Sequence, residues 1–235
     1  MEIMLNHFTY NGRSTGEFGL LVSGANIYGS PSRVVEKVQI PYRNGDLLID
    51  TGVYNNYILT YEVSIIDNTK ATAQAISEWL LSSRGYNRLE DTYVPDQFRM
   101  ASYYNQLDYT LTSLNRFGRA TISFDCKPQK YLKTGETTTT LTTSGTITNP
   151  TQNASKPLIR VYGTGTLTVN DLEITINSVD EYVDIDAERM QVFKGSVNKG
   201  STVSMTDFPE LVGGENTLTL SGLTRVIITP RWWRL

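Results

Sequence analysis

Apolar and polar residues alternate along the stretch Ser32–Ile66, and this pattern is the clearest structural signal in the chain. In Tyr57–Ile66 every second residue is aromatic or aliphatic, and Val34–Ile40 shows the same two-residue period. Such a period is typical of a β-strand with one buried face. A shorter apolar run, Leu47–Ile49, follows the pair Asn44–Gly45, which readily forms a tight turn. The pattern therefore predicts a meander of three antiparallel strands.

The next stretch changes to a helical period. Asp67–Thr69 supplies side chains that can cap a helix, and Gly85 provides a stop signal. Between them, apolar residues recur at spacings of three and four: Ala73, Ile76, Trp79 and Leu80. This spacing predicts one α-helix over about residues 69–84. Trp79 lies on the apolar stripe, so we expect it to pack the helix against a sheet.

Short strand patterns return after the helix and continue to the end of the chain. They occupy Phe98–Cys126 and, as eight runs separated by turn signals, Leu158–Ile228. Between these regions Thr takes eight of the twelve positions from residue 137 to residue 148, which indicates a boundary. The Thr run is compatible with a solvated linker and equally with edge strands.

The predicted fold class is mainly β. We expect residues 1–133 to form an N-terminal β-sandwich or barrel-like domain with one α-helix. Residues 134–235 are expected to form a second sandwich of about eight antiparallel strands, because about 100 residues is a sensible size for one such domain.

Composition and charge exclude several classes of function. The net charge of −3 and the pI near 5.3 give no clustered Lys and Arg for binding nucleic acid. Cys126 is the only cysteine and is expected to be a buried apolar residue. His7 is the only histidine, which leaves no material for a His-based triad or a multi-His metal site. Neither a signal peptide nor a membrane span is indicated. We therefore expect no catalytic residues, no cofactor and no membrane contact.

Two constellations could still carry chemistry. Asp180–Glu188 is rich in carboxylates, and Asp184 and Asp186 would share one face of a strand, where they could hold Ca²⁺ or act as a general acid and base. An acidic solvent-facing strand is the plainer interpretation. Trp232 and Trp233, flanked by arginines, could form a sugar-binding platform, or they could fasten the C-terminal segment to the fold.

Short motifs distributed over essentially all 235 residues resemble, in the same order, the distal tail protein (Dit) family of long-tailed bacteriophages. They are Phe8-x-Tyr10-Asn11-Gly12, Glu17-Phe18-Gly19-Leu20, Arg43-Asn44-Gly45-Asp46, Tyr61-Glu62, Trp79-Leu80, Gly85-Tyr86-x-Arg88-Leu89, Pro95-Asp96-x-Phe98-Arg99, Phe124-x-Cys126-Lys127-Pro128, Pro157-Leu158-Ile159, Asp184-Ile185-Asp186 and Pro230-Arg231-Trp232. The chain resembles the short form of the family, without an inserted carbohydrate-binding module. One departure from the pattern is that Tyr42 stands where the resemblance implies a Gly.

The resemblance implies a structural virion protein at the distal end of a phage tail, made in the cytoplasm of the bacterial host. It implies a homohexameric ring, built by the N-terminal domain, that joins the tail tube to the baseplate or tail tip. The C-terminal domain would then be a galectin-like sandwich that points outward. Expected partners are further copies of the chain, the tail tube protein, a tail-associated tip protein, and receptor-binding or baseplate proteins. DNA would pass through the ring without being bound.

The residues expected at the ring interface lie at the predicted hairpin tip and at the following turn: Tyr42, Arg43, Asn44, Asp46, Tyr54 and Asn56. Exposed Tyr and Arg side chains are good interface anchors, although Asn44–Gly45 could be only a turn and the tyrosines could be core residues. Two other functions remain open. The second domain could bind host cell-wall sugar through Tyr162, Tyr182 or Trp232, or the chain could be a hydrolase that uses Asp184 and Asp186.

Overall fold

The computed structural model describes residues 6–65, 69–107, 109–112 and 117–235. The chain forms two compact units: Met1–Lys130 with Leu235, and Tyr131–Arg234. Both are built from antiparallel strands, and the described residues contain one α-helix. This confirms the mainly β fold class. That helix is too short and too polar to cross a membrane.

The first unit consists of one large sheet, a separate two-stranded hairpin and the helix α1, Thr69–Ser82. Its strands are β1 (Phe8–Tyr10), β2 (Arg13–Ser14), β3 (Leu20–Ala25), β4 (Arg33–Val38), β5 (Leu47–Tyr54), β6 (Tyr57–Ile65), β7 (Asn87–Asp91), β8 (Gln97–Ser102), β9 (Tyr109–Thr112) and β10 (Phe117–Leu132). The large sheet has the order β2-β1-β7-β8-β10-β6-β3, and β9 also pairs with β10. The helix starts at the predicted residue and ends two residues before the predicted end.

The predicted three-stranded meander is wrong, because β6 does not pair with β5. Strands β4 and β5 form a sheet of their own, whereas β6 lies in the large sheet between β10 and β3. In β6 every second side chain is buried, from Tyr57 to Ile65, as the two-residue period predicts. Strands β4 and β5 have no buried side chain. Ile66 lies outside the described residues.

Aromatic side chains fill the core of the first unit. The ring of Phe8 stacks on that of Tyr61 with 4.5 Å between centroids, and Phe18 stacks on Trp79 at 4.7 Å. Trp79 is 4% exposed, and its indole N–H donates to the carbonyl oxygen of Tyr10 at 3.2 Å. The expected role of Trp79 in packing the helix is therefore confirmed.

The second unit is a β-sandwich of a six-stranded and a five-stranded sheet around one aliphatic core. The sandwich strands are β11 (Thr139–Leu141), β12 (Gly145–Asn149), β13 (Leu158–Tyr162), β14 (Gly165–Val169), β15 (Leu172–Ile176), β16 (Val183–Asp186), β17 (Gln191–Lys194), β18 (Val197–Asn198), β19 (Val203–Met205), β20 (Gly214–Ser221) and β21 (Arg225–Thr229). The short strand β22 (Trp233–Arg234) belongs to neither of these two sheets. The sheet orders are β11-β21-β13-β16-β17-β18 and β12-β20-β14-β15-β19. The Thr run thus supplies one edge strand to each sheet, which decides between the two interpretations of that segment.

The last residues of the second unit are fastened to its first residues. The backbone N–H of Leu132 donates to the carbonyl of Trp232 at 2.8 Å, and that of Arg231 donates to Gly135 at the same distance. At Gly135 a Cβ would collide with the backbone of Trp232, so only glycine fits there. Trp232 is 5% exposed, and the indole N–H of Trp233 donates to a backbone carbonyl. The fastening role expected for these tryptophans is confirmed.

Candidate protein–protein interface

The most unusual surface of the first unit is the hairpin of β4, β5 and their connecting loop, Arg33–Tyr54, which we call the arm. No residue of the arm is buried. Its two strands pair in the register Val35 to Asp50 through Val38 to Leu47, with an irregularity near Arg33. The arm is thus a hydrogen-bonded hairpin, and among the described residues no other sheet or helix of its unit covers it.

Apolar side chains project from both faces of the arm. Because cross-strand partners share a face, Val35 and Leu48 lie on one side, and Leu47 and Ile49 lie on the other. Leu48 is 61% exposed. The aliphatic residues that are at least one third exposed are Val34, Val35, Leu47, Leu48, Ile49 and Val53. Exposed apolar side chains gathered on one hairpin in this way are typical of a protein–protein interface.

Four of the six residues expected at the interface lie at the tip of the arm: Tyr42, Arg43, Asn44 and Asp46, all exposed. Tyr42 projects fully into solvent, and its backbone has φ 64°, in the left-handed region. This is the position at which the family pattern implies a Gly, and a bulky residue there stores about 1–2 kcal/mol of backbone strain. Among the described residues, neither Arg43 nor Asp46 takes part in an ion pair.

The other two expected residues lie at the opposite end of the arm. The ring of Tyr54 is covered by the guanidinium of Arg33, 5.7 Å from its centroid, and Arg33 pairs with Asp50 at 2.7 Å. The side-chain amide of Asn56 donates to the hydroxyl of Tyr86. With about 3.3 Å per strand residue, the eight residues of β5 separate tip and base by about 25 Å. The structure therefore does not bring the six residues together at one place.

The base of the arm is closed by hydrogen bonds between its two ends. The backbone N–H of Asn55 donates to the carbonyl of Ser32 at 2.9 Å, and its side-chain amide donates to the Ser32 hydroxyl at 3.1 Å. Below this closure the ammonium of Lys130 donates to the carbonyl of Gly29 at 3.1 Å and lies 5.5 Å from the ring centroid of Tyr57. Burial, reinforced by the nearby charge of Arg99, lowers the pKa of Lys130.

A buried ion pair lies beneath the arm base. Arg99, 1% exposed, donates from Nη1 to Oδ2 of Asp91 at 2.8 Å, and from Nε to the hydroxyl of Tyr57 at 3.1 Å. The hydroxyl of Tyr61 donates to the same carboxylate oxygen at 2.8 Å. Burial raises the pKa of Tyr57 to about 12. Sequence reasoning missed this network. The signal available in the sequence was Asp91. This charged residue lies two positions after Leu89, at a buried position of a strand.

The two carboxylates considered for catalysis are each bound by a different arginine. Arg160 donates to both oxygens of Asp184 at 2.7 and 2.9 Å, and Arg231 donates to both oxygens of Asp186 at 2.7 and 3.0 Å. Although burial alone would raise the pKa of Asp186, the hydrogen bonds from Arg231 and from the Arg189 backbone lower it overall. The part of the chain that the structure describes contains no group of three or more potential metal-binding side chains. Both carboxylates are buried, so the expected solvent-facing acidic strand is wrong, and they act in structural ion pairs.

The aromatic residues considered for sugar binding are also engaged. Trp232 is buried, so its ring faces are closed to a ligand. The guanidinium of Arg225 lies 4.0 Å from the ring centroid of Tyr162, and that of Arg160 lies 4.1 Å from that of Tyr182. A sugar that stacked on these faces would have to displace an arginine, which weakens the geometric basis for that alternative.

The fold of the chain, a sheet-and-helix unit followed in sequence by a β-sandwich, has matches among solved structures. A search of solved structures gives the SPP1 Dit (gp 19.1) protein, described as a paradigm of hub adsorption apparatus in Gram-positive infecting phages, with a TM-score of 0.72 and 14% sequence identity. The match covers 95% of this chain and 98% of that one. A chain of the phage P2 baseplate in its activated conformation with Ca matches with a TM-score of 0.53 and 11% identity, over 96% and 97% of the two chains.

These matches confirm, at the level of the fold, the resemblance to the distal tail proteins that the sequence motifs indicate. The chain has a Dit-type fold over nearly its whole length. No protein-family model and no curated protein matches the sequence. At identities of 10–15% the relationship is visible in the backbone and in a few ordered motifs rather than in overall sequence similarity.

Proposed function

We propose that this chain is a structural component of a phage tail, a distal tail protein whose copies assemble into a hexameric ring through the arm. The observation that carries the proposal is a hairpin on a Dit-type fold that has apolar residues on both faces and is not covered by any described element of its own unit. Burying an aliphatic side chain contributes about 1.5–3 kcal/mol when the side chain was fully exposed. Six such residues, already partly covered, are enough to favour association.

The geometry of the arm favours a ring over a symmetric pair. A projecting hairpin is well suited to contact a different surface on the next copy, which gives a head-to-tail interface. Repeated head-to-tail contacts close into a ring when the rotation between copies allows it. Pairing of two arms with each other would instead stop at a dimer.

The two domains have different roles in this proposal. The N-terminal domain, residues 1–133, builds the ring, and the galectin-like domain, residues 134–235, points outward. The ring joins the tail tube protein to the baseplate or tip, and the outward domains hold the tip protein and receptor-binding proteins. The net charge of −3 suits a ring through which DNA passes without being bound.

Sedimentation over a wide range of concentrations, followed by negative-stain imaging of the heaviest species, tests the assembly. Six copies of the 26.4 kDa chain have a mass of about 158 kDa, whereas two copies have about 53 kDa. A six-fold ring with an open centre is expected. A species that stops at the dimer would show that the arms pair with each other and would overturn the ring.

A further inference from the structure

A buried lysine lies beneath the base of the arm. Lys130 is 9% exposed and has no ion-pair partner among the described residues. Its ammonium group contacts the carbonyl oxygen of Gly29 and the ring of Tyr57. A buried charge without a carboxylate is unfavourable for folding, and a neutral apolar side chain would fit this position at lower free energy. The position of Lys130 therefore calls for an explanation other than stability.

The two partners of Lys130 belong to the two chain segments that enter and leave the arm. Gly29 precedes β4 by four residues, and Tyr57 follows β5 by three. One ammonium group thus links both segments just below the hydrogen bonds between Ser32 and Asn55. Without this link the arm would remain attached to the large sheet by its two strand connections and by the closure above it.

The partners of Lys130 are themselves held in place. The hydroxyl of Tyr57 accepts a hydrogen bond from Arg99, which is paired with Asp91 in the core. Gly29 lies beside Tyr57, because a Cβ on this glycine would be in ordinary van der Waals contact with the ring, at 3.5 Å. A continuous set of contacts therefore runs from the buried ion pair, through Tyr57 and Lys130, to both ends of the arm.

We propose that Lys130 is the positioning residue of the arm, and that its ammonium group fixes the direction in which the arm leaves the first unit. An arm held in one direction reaches a neighbouring copy with less loss of conformational entropy than a mobile one. The functional meaning of this role rests on the proposed ring. The positioning itself is a property of the single chain.

Hydrogen exchange in the unassembled chain tests the positioning directly. The experiment uses full-length protein carrying Leu48→Asp, which places a charge among the apolar residues of the arm and is expected to keep the chain monomeric, and the monomeric mass is verified by sedimentation. In the Lys130→Met variant the amide of Asn55, which closes the arm base, is expected to exchange at least tenfold faster. Amides between β6 and β10 should keep their exchange rates. Lys130→Arg should restore the slow exchange at Asn55, and Lys156→Met, an exposed lysine of the second unit, should leave it unchanged.

Two results would overturn the proposal. One is exchange at Asn55 that stays at the parental rate in Lys130→Met, and the other is acceleration that extends equally to the β6–β10 amides. If Lys130→Met does not fold, Lys130→Gln retains an N–H donor without the charge, and the same comparison of Asn55 with the sheet decides. Because exchange is measured in single chains, failure of the ring leaves this test intact. If rings form while exchange at Asn55 is unchanged, only the role of Lys130 is refuted.

Discussion

The arm and strand β6 are neighbours in the sequence, both carry apolar residues, and they behave in opposite ways. In β6 the residues Tyr57, Leu59, Tyr61, Val63 and Ile65 all point into the core, and each is at most 7% exposed. In the arm Leu47, Leu48 and Ile49 follow one another, so they point to both faces, and all three are exposed. The comparison shows that the apolar residues of β6 stabilise the single chain, whereas those of the arm are available for contact with another molecule.

The polar groups of the two regions differ in the same way. Beneath β6 the Arg99–Asp91 pair is fully buried and shares its hydrogen bonds with two tyrosines. In the arm the Arg33–Asp50 pair is open to solvent, where ion pairs contribute little to stability. Mutations in the two regions should therefore separate folding from assembly.

The largest effect is expected on breaking the buried pair. Arg99→Met leaves Asp91 buried without its cation, which should lower the free energy of unfolding by about 3–5 kcal/mol. Denaturant unfolding of both proteins measures the difference. Arg13→Met, which breaks the exposed pair with Glu17, is the control and should change stability far less. A loss as small as that of the control would show that the buried pair does not hold the core.

The next effect comes from a matched pair of leucines. Leu59→Ala creates a cavity in the core and should cost about 2–5 kcal/mol, whereas Leu48→Ala in the arm should stay within about 0.5 kcal/mol. Both substitutions remove the same atoms, so unfolding of the monomer compares the two environments alone. A large loss for Leu48→Ala would mean that the arm is covered within the single chain.

A smaller effect is expected from the pH dependence of the second unit. The pKa of Asp186 in the folded chain lies below its ordinary value, so its stabilisation is present above the unfolded pKa and is lost as the pH falls through the folded pKa. Melting of the wild type should therefore weaken more steeply from about pH 5 to pH 3 than melting of Asp186→Asn. At pH 7 that variant should be less stable by about 2 kcal/mol. Parallel pH profiles would exclude this role for Asp186.

The smallest effect on folding is expected at the arm tip. Arg43→Glu should leave the melting temperature unchanged, because Arg43 is exposed and has no ion pair with a described residue. The reversed charge should nevertheless weaken assembly, since exposed arginines often anchor interfaces. Sedimentation at several concentrations measures the association. An unchanged mass distribution would remove Arg43 from the interface.

The alternation in β6, the helix at Trp79 and eight of the eleven sandwich strands of the second domain could be predicted because they depend on local periodicity. The exposure of the arm could not be predicted. A strand shows the same two-residue period whether its apolar residues are covered by this chain or by another. Nor could the sequence show that Arg99 and Asp91 meet, because they pair across separate strands. The motif pattern implies a Gly at position 42, and the backbone of Tyr42 there has φ 64°, in the region that favours glycine. The six interface residues remain predictions.

The central claim is that the arm joins one copy of this chain to the next. Light scattering on the wild type, on Leu48→Asp and on Val212→Asp, an exposed control position in the second unit, tests it most directly. We predict about 158 kDa for the wild type and the control, and the 26.4 kDa of a monomer for Leu48→Asp. A wild type that is monomeric at every concentration, or a Leu48→Asp variant that keeps the wild-type mass, would contradict the claim.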